Sequence, residues 1–391
     1  MSPDDAPRAP TRPPLSISLA AFVSSFDRFA ISPLIVLVAH DLGATLAEAL
    51  TIASAYFLAY GVSQPVWGIL SDKLGRVRLM KWTLFAAALT GVAATFAPTL
   101  SILVIARALS GAFYGAIVPT SLTYVGDTVD EANRQPALTD LMAAIAVGTA
   151  SATALAGVLA HFIDWRVVFA IPAVLAVGCA FGLRRLPEPP REQPGSVVAT
   201  IRAAITHRWV LIVIGLAFIE GAVVLGVLTL LAPALQSQGT GAAIAGLATA
   251  AYGVGVIITS RMVKALSSRL SMPRLIAIGG SATVLAFGLL AAHLSITMVI
   301  IAALLLGATW SFQHSSLQTW ATGVLPQARG TVVSFFAGTL FAGSAVGAAF
   351  GGGLGDKNQW TLLFAITCAV GLVLTVSIVV SRRIYAGPRK S

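Results

Sequence analysis

Four strongly ionisable side chains stand inside long apolar runs: Asp27, Arg28, Arg107 and Glu220. On insertion scales each costs about 2.5–3.5 kcal/mol at the centre of a membrane helix, so such residues usually face a cavity and serve an ion or a substrate. Burial disfavours a charged carboxylate, and an adjacent guanidinium favours it. A carboxyl held between these influences can take up and release a proton as its surroundings open to either side. Asp27 lies roughly 16 Å from the outer end of its run and Arg107 roughly 10 Å from the outer end of another, a difference an arginine side chain spans. Asp27 is expected to be the proton-coupling residue and Arg107 its modulator. Arg28 points about 100° away from Asp27 on a helix and either binds an anionic substrate group or pairs with an acid elsewhere. Glu220 is read either as an attractor of a cationic substrate or as a second proton site.

Softer candidates accompany these charges. Tyr56, Tyr60 and Gln64 recur every four residues on one helix face, Tyr114 stands in a neighbouring run, and Trp310, Gln313, His314 and Leu317 share a face of another. Aromatic rings with a few polar groups suit an amphipathic organic ligand. His314, near the cytoplasmic end of its run, is read either as a cavity residue or as a residue of the membrane interface. No catalytic constellation is found: there is no H-E-x-x-H and no nucleotide-binding loop, which argues against an enzyme and an ATP-driven pump. Cys179 and Cys368 both sit in apolar runs and point to neither a disulfide nor a metal. No cofactor is expected, so energy must come from an ion or substrate gradient.

The elements that position these residues follow from composition. Of 391 residues 57% are apolar and only 10% charged, with mean hydropathy +0.87. Soluble domains carry about 25% charged residues; this chain is built to dissolve in lipid. Twelve segments approach the length of about 20 apolar residues that crosses a bilayer: 16–38, 47–68, 79–98, 100–124, 135–160, 166–183, 209–232, 242–262, 274–292, 295–317, 330–353 and 360–381. The expected fold is an all-α membrane protein of twelve transmembrane helices in two pseudo-symmetric six-helix bundles. Residues 1–14 form a proline-rich, disordered cytoplasmic tail, 15–183 the first bundle, 184–208 a cytoplasmic linker, 209–382 the second bundle, and 383–391 a second tail.

The net charge of +10 is consistent with this reading. Lys73, Arg76, Arg78 and Lys81, then Arg184, Arg185, Arg202 and Arg208, then Arg261, Lys264, Arg269 and Arg274, and finally Arg382 and Arg383 all fall on the side shared by the termini. Only Arg166 and Lys357 fall in loops on the other side. That asymmetry places both termini in the cytoplasm of a cell inner membrane and accounts for the basic balance without nucleic acid. The expected partners are the bilayer, protons and a small-molecule substrate, with the chain acting as a monomer.

The second half echoes the first. Ala59-Tyr60-Gly61-Val62 recurs as Ala251-Tyr252-Gly253-Val254, and Arg134, Gly148, Gly157, Trp165 and Phe169 recur as Arg329, Gly343, Gly352, Trp360 and Phe364 at nearly the same spacing. Duplicated six-helix halves carry their substrate near the bilayer midplane between them and rock about it.

Between the second and third runs stands Gly68-Ile-Leu-Ser-Asp72-Lys73-Leu-Gly75-Arg76-Val-Arg78. It resembles the signature loop of the major facilitator superfamily, G-x-L-x-D-[RK]-x-G-R-[RK]. Gly68 permits close helix approach, and Gly75 a tight turn. The resemblance implies that Asp72 caps a helix start in the other half, at the eleventh run, that Asp72 and Arg76 latch the outward-facing state, and that Asp127 is their acidic partner. The loop between the eighth and ninth runs lacks the motif, so the latch is one-sided. Arg107, Gly111 and Gly115 are similar to the R-x-x-x-G-x-x-x-G pattern of proton-linked members. The implied activity is proton-coupled export of a drug or metabolite by H+ antiport. One element departs: the Gly-Pro pair of efflux members is replaced by Gly148-Thr-Ala-Ser-Ala-Thr-Ala-Leu-Ala-Gly157. With the intramembrane arginines, that departure keeps a second reading, symport of a small organic anion into the cell.

Overall fold

The computed structural model describes residues 11–189 and 197–385. Residues 1–10 of the expected tail, 190–196 of the linker and 386–391 of the second tail lie outside the described residues. Twelve helices are long and apolar enough to cross a membrane: α1 (Leu15–Asp41), α2 (Leu46–Leu74), α3 (Arg76–Thr95), α4 (Leu100–Thr128), α5 (Asn133–Phe162), α6 (Trp165–Arg185), α7 (Arg208–Ser237), α8 (Ala242–Leu266), α9 (Met272–Ala292), α10 (Ile296–Val324), α11 (Pro326–Asp356) and α12 (Trp360–Ile384). Among the described residues there is no strand. The linker also contains a helix, Val197–Thr206. The twelve spans are those read from hydropathy, but α2, α4, α8 and α10 run beyond their apolar stretches. Helices end where the backbone is capped or turned, as at Gly75, where φ is +100°, and not where hydropathy falls.

An even number of spans puts the start of α1 and the end of α12 at one end, the terminal end; the opposite end is the far end. On α2, Leu58, Val62 and Val66 are exposed, whereas Tyr56, Tyr60 and Gln64, two residues out of step, are buried. One face meets lipid and the other the protein interior.

The duplication is visible in packing. In the first half the Thr90 and Ser110 hydroxyls bond at 2.9 Å, and in the second Thr283 and Thr309 do the same at 2.9 Å. The repeated Tyr-Gly pair marks the two places where the halves cross. A Cβ on Gly61 would meet the Gly338 carbonyl of α11 at 2.6 Å and Phe341 Cβ at 2.9 Å, and one on Gly253 would collide with Ala150 of α5. Gly157 likewise lies against Ala242, as Gly352 lies against Ala47. Small residues let helix backbones approach where lipid offers no hydrophobic drive; this is what the glycines of α5 do without a Gly-Pro pair.

Proline breaks two spans at the far end. The ring of a helical proline denies a hydrogen bond to the carbonyl four residues earlier. In α1, Pro33 interrupts the helix after Phe29. In α7, Pro233 frees the Thr229 carbonyl, which accepts a hydrogen bond from Ser32 Oγ across the two halves at 2.9 Å. Gln236 Nε2 donates to the Pro33 carbonyl at 3.1 Å, and the Ala47 amide donates to Asp356 Oδ1 at 3.1 Å. The far ends of the halves are thus tied together.

Candidate functional site

Asp27 sits on the last turn of α1 before its break, and Arg107 about two turns into α4 from its far end. Arg107 Nη1 donates to Asp27 Oδ1 at 2.7 Å, and both side chains are only 1% exposed. Arg107 Nη2 donates to the Asp27 carbonyl at 2.9 Å. The guanidinium is stacked between Tyr56 (4.6 Å) and Phe169 (4.8 Å). Asp27 Oδ2 is buried without a partner among the described residues. One carboxylate oxygen is therefore committed to the arginine and the other is unengaged.

Arg28 faces a different group. Its Nη1 donates to the Tyr60 hydroxyl at 3.1 Å, and its guanidinium lies over the rings of Phe29 (4.9 Å), Tyr60 (5.1 Å) and Phe341 (5.3 Å). Among the described residues no carboxylate lies within 4.0 Å of it. Of the two alternatives open from the sequence, pairing with an acid is the one this arrangement does not realise.

Glu220 is fully buried in α7. Its Oε1 accepts from Gln313 Nε2 at 3.2 Å, and its Oε2 lies 3.0 Å from His314 Nδ1. His314 stacks on Trp310 with centroids 3.7 Å apart. His314 is 6% exposed and lies in α10 against Glu220, so the interface alternative is the one this arrangement does not realise. The backbone explains the reach. Gly221–Gly226 and Trp310–His314 are both π-helical, and such segments rotate side chains off the regular helical face.

The remaining aromatic candidates are packed. Tyr56 and Tyr60 stack at 6.1 Å, and Gln64 continues their row, buried. The Tyr114 hydroxyl donates to the Pro172 carbonyl of α6 at 3.2 Å, which ties α4 to α6. A small pocket, with room for about one water, lies between the halves, and its lining includes Phe29, Ser32, Thr153, Thr229, Thr249 and Tyr252. The sequence reading missed these residues. The Tyr-Gly repeat at Tyr252 and the prolines that free nearby carbonyls were the signals that could have found them.

At the terminal end, Arg76 pairs with Asp72, donates from Nε to Asp127 Oδ2 at 3.3 Å and bonds Ser71 Oγ at 3.2 Å. The expected cap from Asp72 to the start of the eleventh span is not formed: Ala328 precedes that helix with no side-chain cap, and Asp72 is held by Arg76. A Cβ on Gly68 would lie in ordinary contact, 3.7 Å from Ser334 Oγ. Glu188 of the linker was not anticipated. Its carboxylate accepts from the amides of Val77 (3.0 Å) and Arg78 (3.2 Å), capping α3, and occupies the space a Cβ on Gly75 would need. Among the described residues no cluster of His, Cys, Asp or Glu has the arrangement of a metal site.

The model for the Major Facilitator Superfamily matches residues 17–292 and again 210–390. The chain belongs to that superfamily. It is an MFS transporter, a multi-pass membrane protein of twelve spans and not an enzyme. It is 28% identical over 194 residues to the multidrug efflux pump LfrA of Mycolicibacterium smegmatis, covering 48% of this chain and 38% of that protein. It is 24% identical over 163 residues to the multidrug export protein EmrB of Escherichia coli K12, covering 42% of this chain and 32% of that protein. The matches thus span well under half the length of these relatives. Among solved structures, the xylose transporter XylE of E. coli superposes with a TM-score of 0.77 at 14% identity, covering 96% of this chain and 98% of that one. The nucleoside transporter NupG superposes with a TM-score of 0.73 at 16% identity, covering 94% and 100%. At these identities the superpositions establish the MFS fold.

Proposed function

We propose that this MFS transporter is proton-coupled and exports small amphipathic organic compounds by alternating access, in antiport with H+. The observation that carries the reading is the Asp27–Arg107 pair: a carboxylate 1% exposed, bonded through Oδ1 alone, with Oδ2 unengaged. Protonation on Oδ2 would weaken the hold on Arg107 Nη1 while Nη2 stays tethered to the Asp27 carbonyl. Loading a proton would then release a charge without losing the arginine's position. Similarity to LfrA and EmrB, which are named for multidrug efflux and export, supports the outward direction. The basic terminal end then faces the cytoplasm of a cell inner membrane, and the bonds at the far end close the outer side. The chain works as a monomer, with the bilayer, protons and the substrate as its partners.

The test is Asp27→Asn in proteoliposomes with an imposed pH gradient. Proton-driven substrate movement is expected to vanish while the purified variant keeps the wild-type elution profile. Transport that still follows the gradient would remove Asp27 as the coupling residue.

A further inference from the structure

We infer that the transported compound carries an anionic group, which Arg28 holds. The inference rests on the exporter reading above and adds the charge of its substrate. It begins with the partners of the four intramembrane charges. Asp27 and Arg107 hold each other, and Glu220 is satisfied by Gln313 and His314. Arg28, 9% exposed, has no carboxylate within ion-pair distance among the described residues. A buried cation without a counter-charge is strongly unfavourable, and three aromatic faces compensate only in part.

The donors left over define the ligand. A guanidinium offers five N–H groups in a planar fork that matches a carboxylate or phosphate in bidentate fashion. Tyr60 takes one through Nη1, and Nε is buried without a partner among the described residues. The rings of Phe29, Tyr60 and Phe341 hold the guanidinium from 4.9 to 5.3 Å and offer it no anion.

A small pocket adjoins the arginine. Phe29 is common to both places: its ring stacks with Arg28 and lines the pocket. No acidic side chain lines it, and Thr153 Oγ1 is buried there without a partner among the described residues. A cation with open N–H donors beside a pocket free of acidic side chains selects an oxygen-bearing anion over a cation.

The experiment uses the purified full chain and reads thermal stabilisation, which reports binding to the folded state. The probes are aryl carboxylates from benzoate to 2-naphthoate, each paired with its primary amide. At least one carboxylate is expected to bind about ten-fold or more tighter than its amide, the size of a lost charge-assisted hydrogen bond. Arg28→Gln should abolish that preference, and Arg28→Lys, which keeps the charge but not the fork, should retain part of it. Equal binding of acid and amide, no binding of any carboxylate, or an unchanged preference in Arg28→Gln would each overturn the inference. If Arg28→Gln does not fold, the wild-type acid–amide comparison decides alone, and Thr153→Val should weaken the carboxylate further. Asp27→Asn separates the two readings: carboxylate binding retained there, beside a wild-type protein that shows no proton coupling, would remove the coupling and leave the anion site standing.

Discussion

Arg28 and Glu220 occupy corresponding positions in the two halves, related by the same spacing that relates Tyr60 to Tyr252. They carry opposite charges, and both lie within electrostatic range of Tyr252 at the cavity wall. Duplication supplied the same backbone position twice. In the first half it holds a cation stacked on three rings, and in the second a carboxylate bonded to Gln313 and His314.

The Asp27–Arg107 pair is costly to break from one side. Arg107→Ala leaves a buried carboxylate without compensation and is expected to destabilise by about 3–5 kcal/mol. The double variant Asp27→Asn/Arg107→Gln removes both charges and should recover most of that loss. Thermal unfolding of the detergent-solubilised proteins compares the three; a double variant as unstable as the single one would contradict the pairing.

Close approach at the crossings of the halves depends on absent side chains. Gly61→Val would drive a side chain into Gly338 and Phe341, overpacking that costs about 1–3 kcal/mol. Gly215→Ala, where a Cβ would meet nothing within 4 Å, is the matched control and should be neutral. Melting temperatures and transport rates are the readouts, and an equal effect at both sites would deny Gly61 its packing role.

The linker is wired to the signature loop through Glu188. Glu188→Gln removes an anion from the start of α3, an interaction worth about 0.3–1 kcal/mol. Hydrogen exchange at the Val77 and Arg78 amides should therefore quicken by about two- to five-fold. Exchange indistinguishable from wild type would show that the cap does not persist in solution.

Closure at the far end has a charged component. Asp356 stands at the start of α2, where the Ala47 amide donates to it and where Thr45 and Glu48 form a capping box. Asp356→Ala should shift the population toward states open at that end. Spin-label distances between the α1–α2 loop and the end of α11 would lengthen in the variant, and an unchanged distribution would remove Asp356 from the gate.

Much of this architecture is legible in the chain itself. Twelve apolar runs, the basic collar and the Gly68–Arg78 loop determine a membrane-spanning, duplicated helical protein, because the bilayer leaves a helix or a closed barrel as the only ways to satisfy a spanning backbone. The depths of Asp27 and Arg107 along their helices were enough to anticipate that an arginine could reach the carboxylate. Rotation about each helix axis and its local irregularities were not legible. Sequence periodicity assumes a regular helix, so it could not place His314 against Glu220 across two π-helical segments, nor show that Pro233 frees a carbonyl for Ser32. Tertiary structure alone decided that Asp72 is held by Arg76 and not by the eleventh span, that Glu188 returns from the linker to cap α3, and that Arg28 is left without an acid. Composition sets which residues must leave water; which of them then meet depends on how twelve helices rotate and cross, information that no single segment carries.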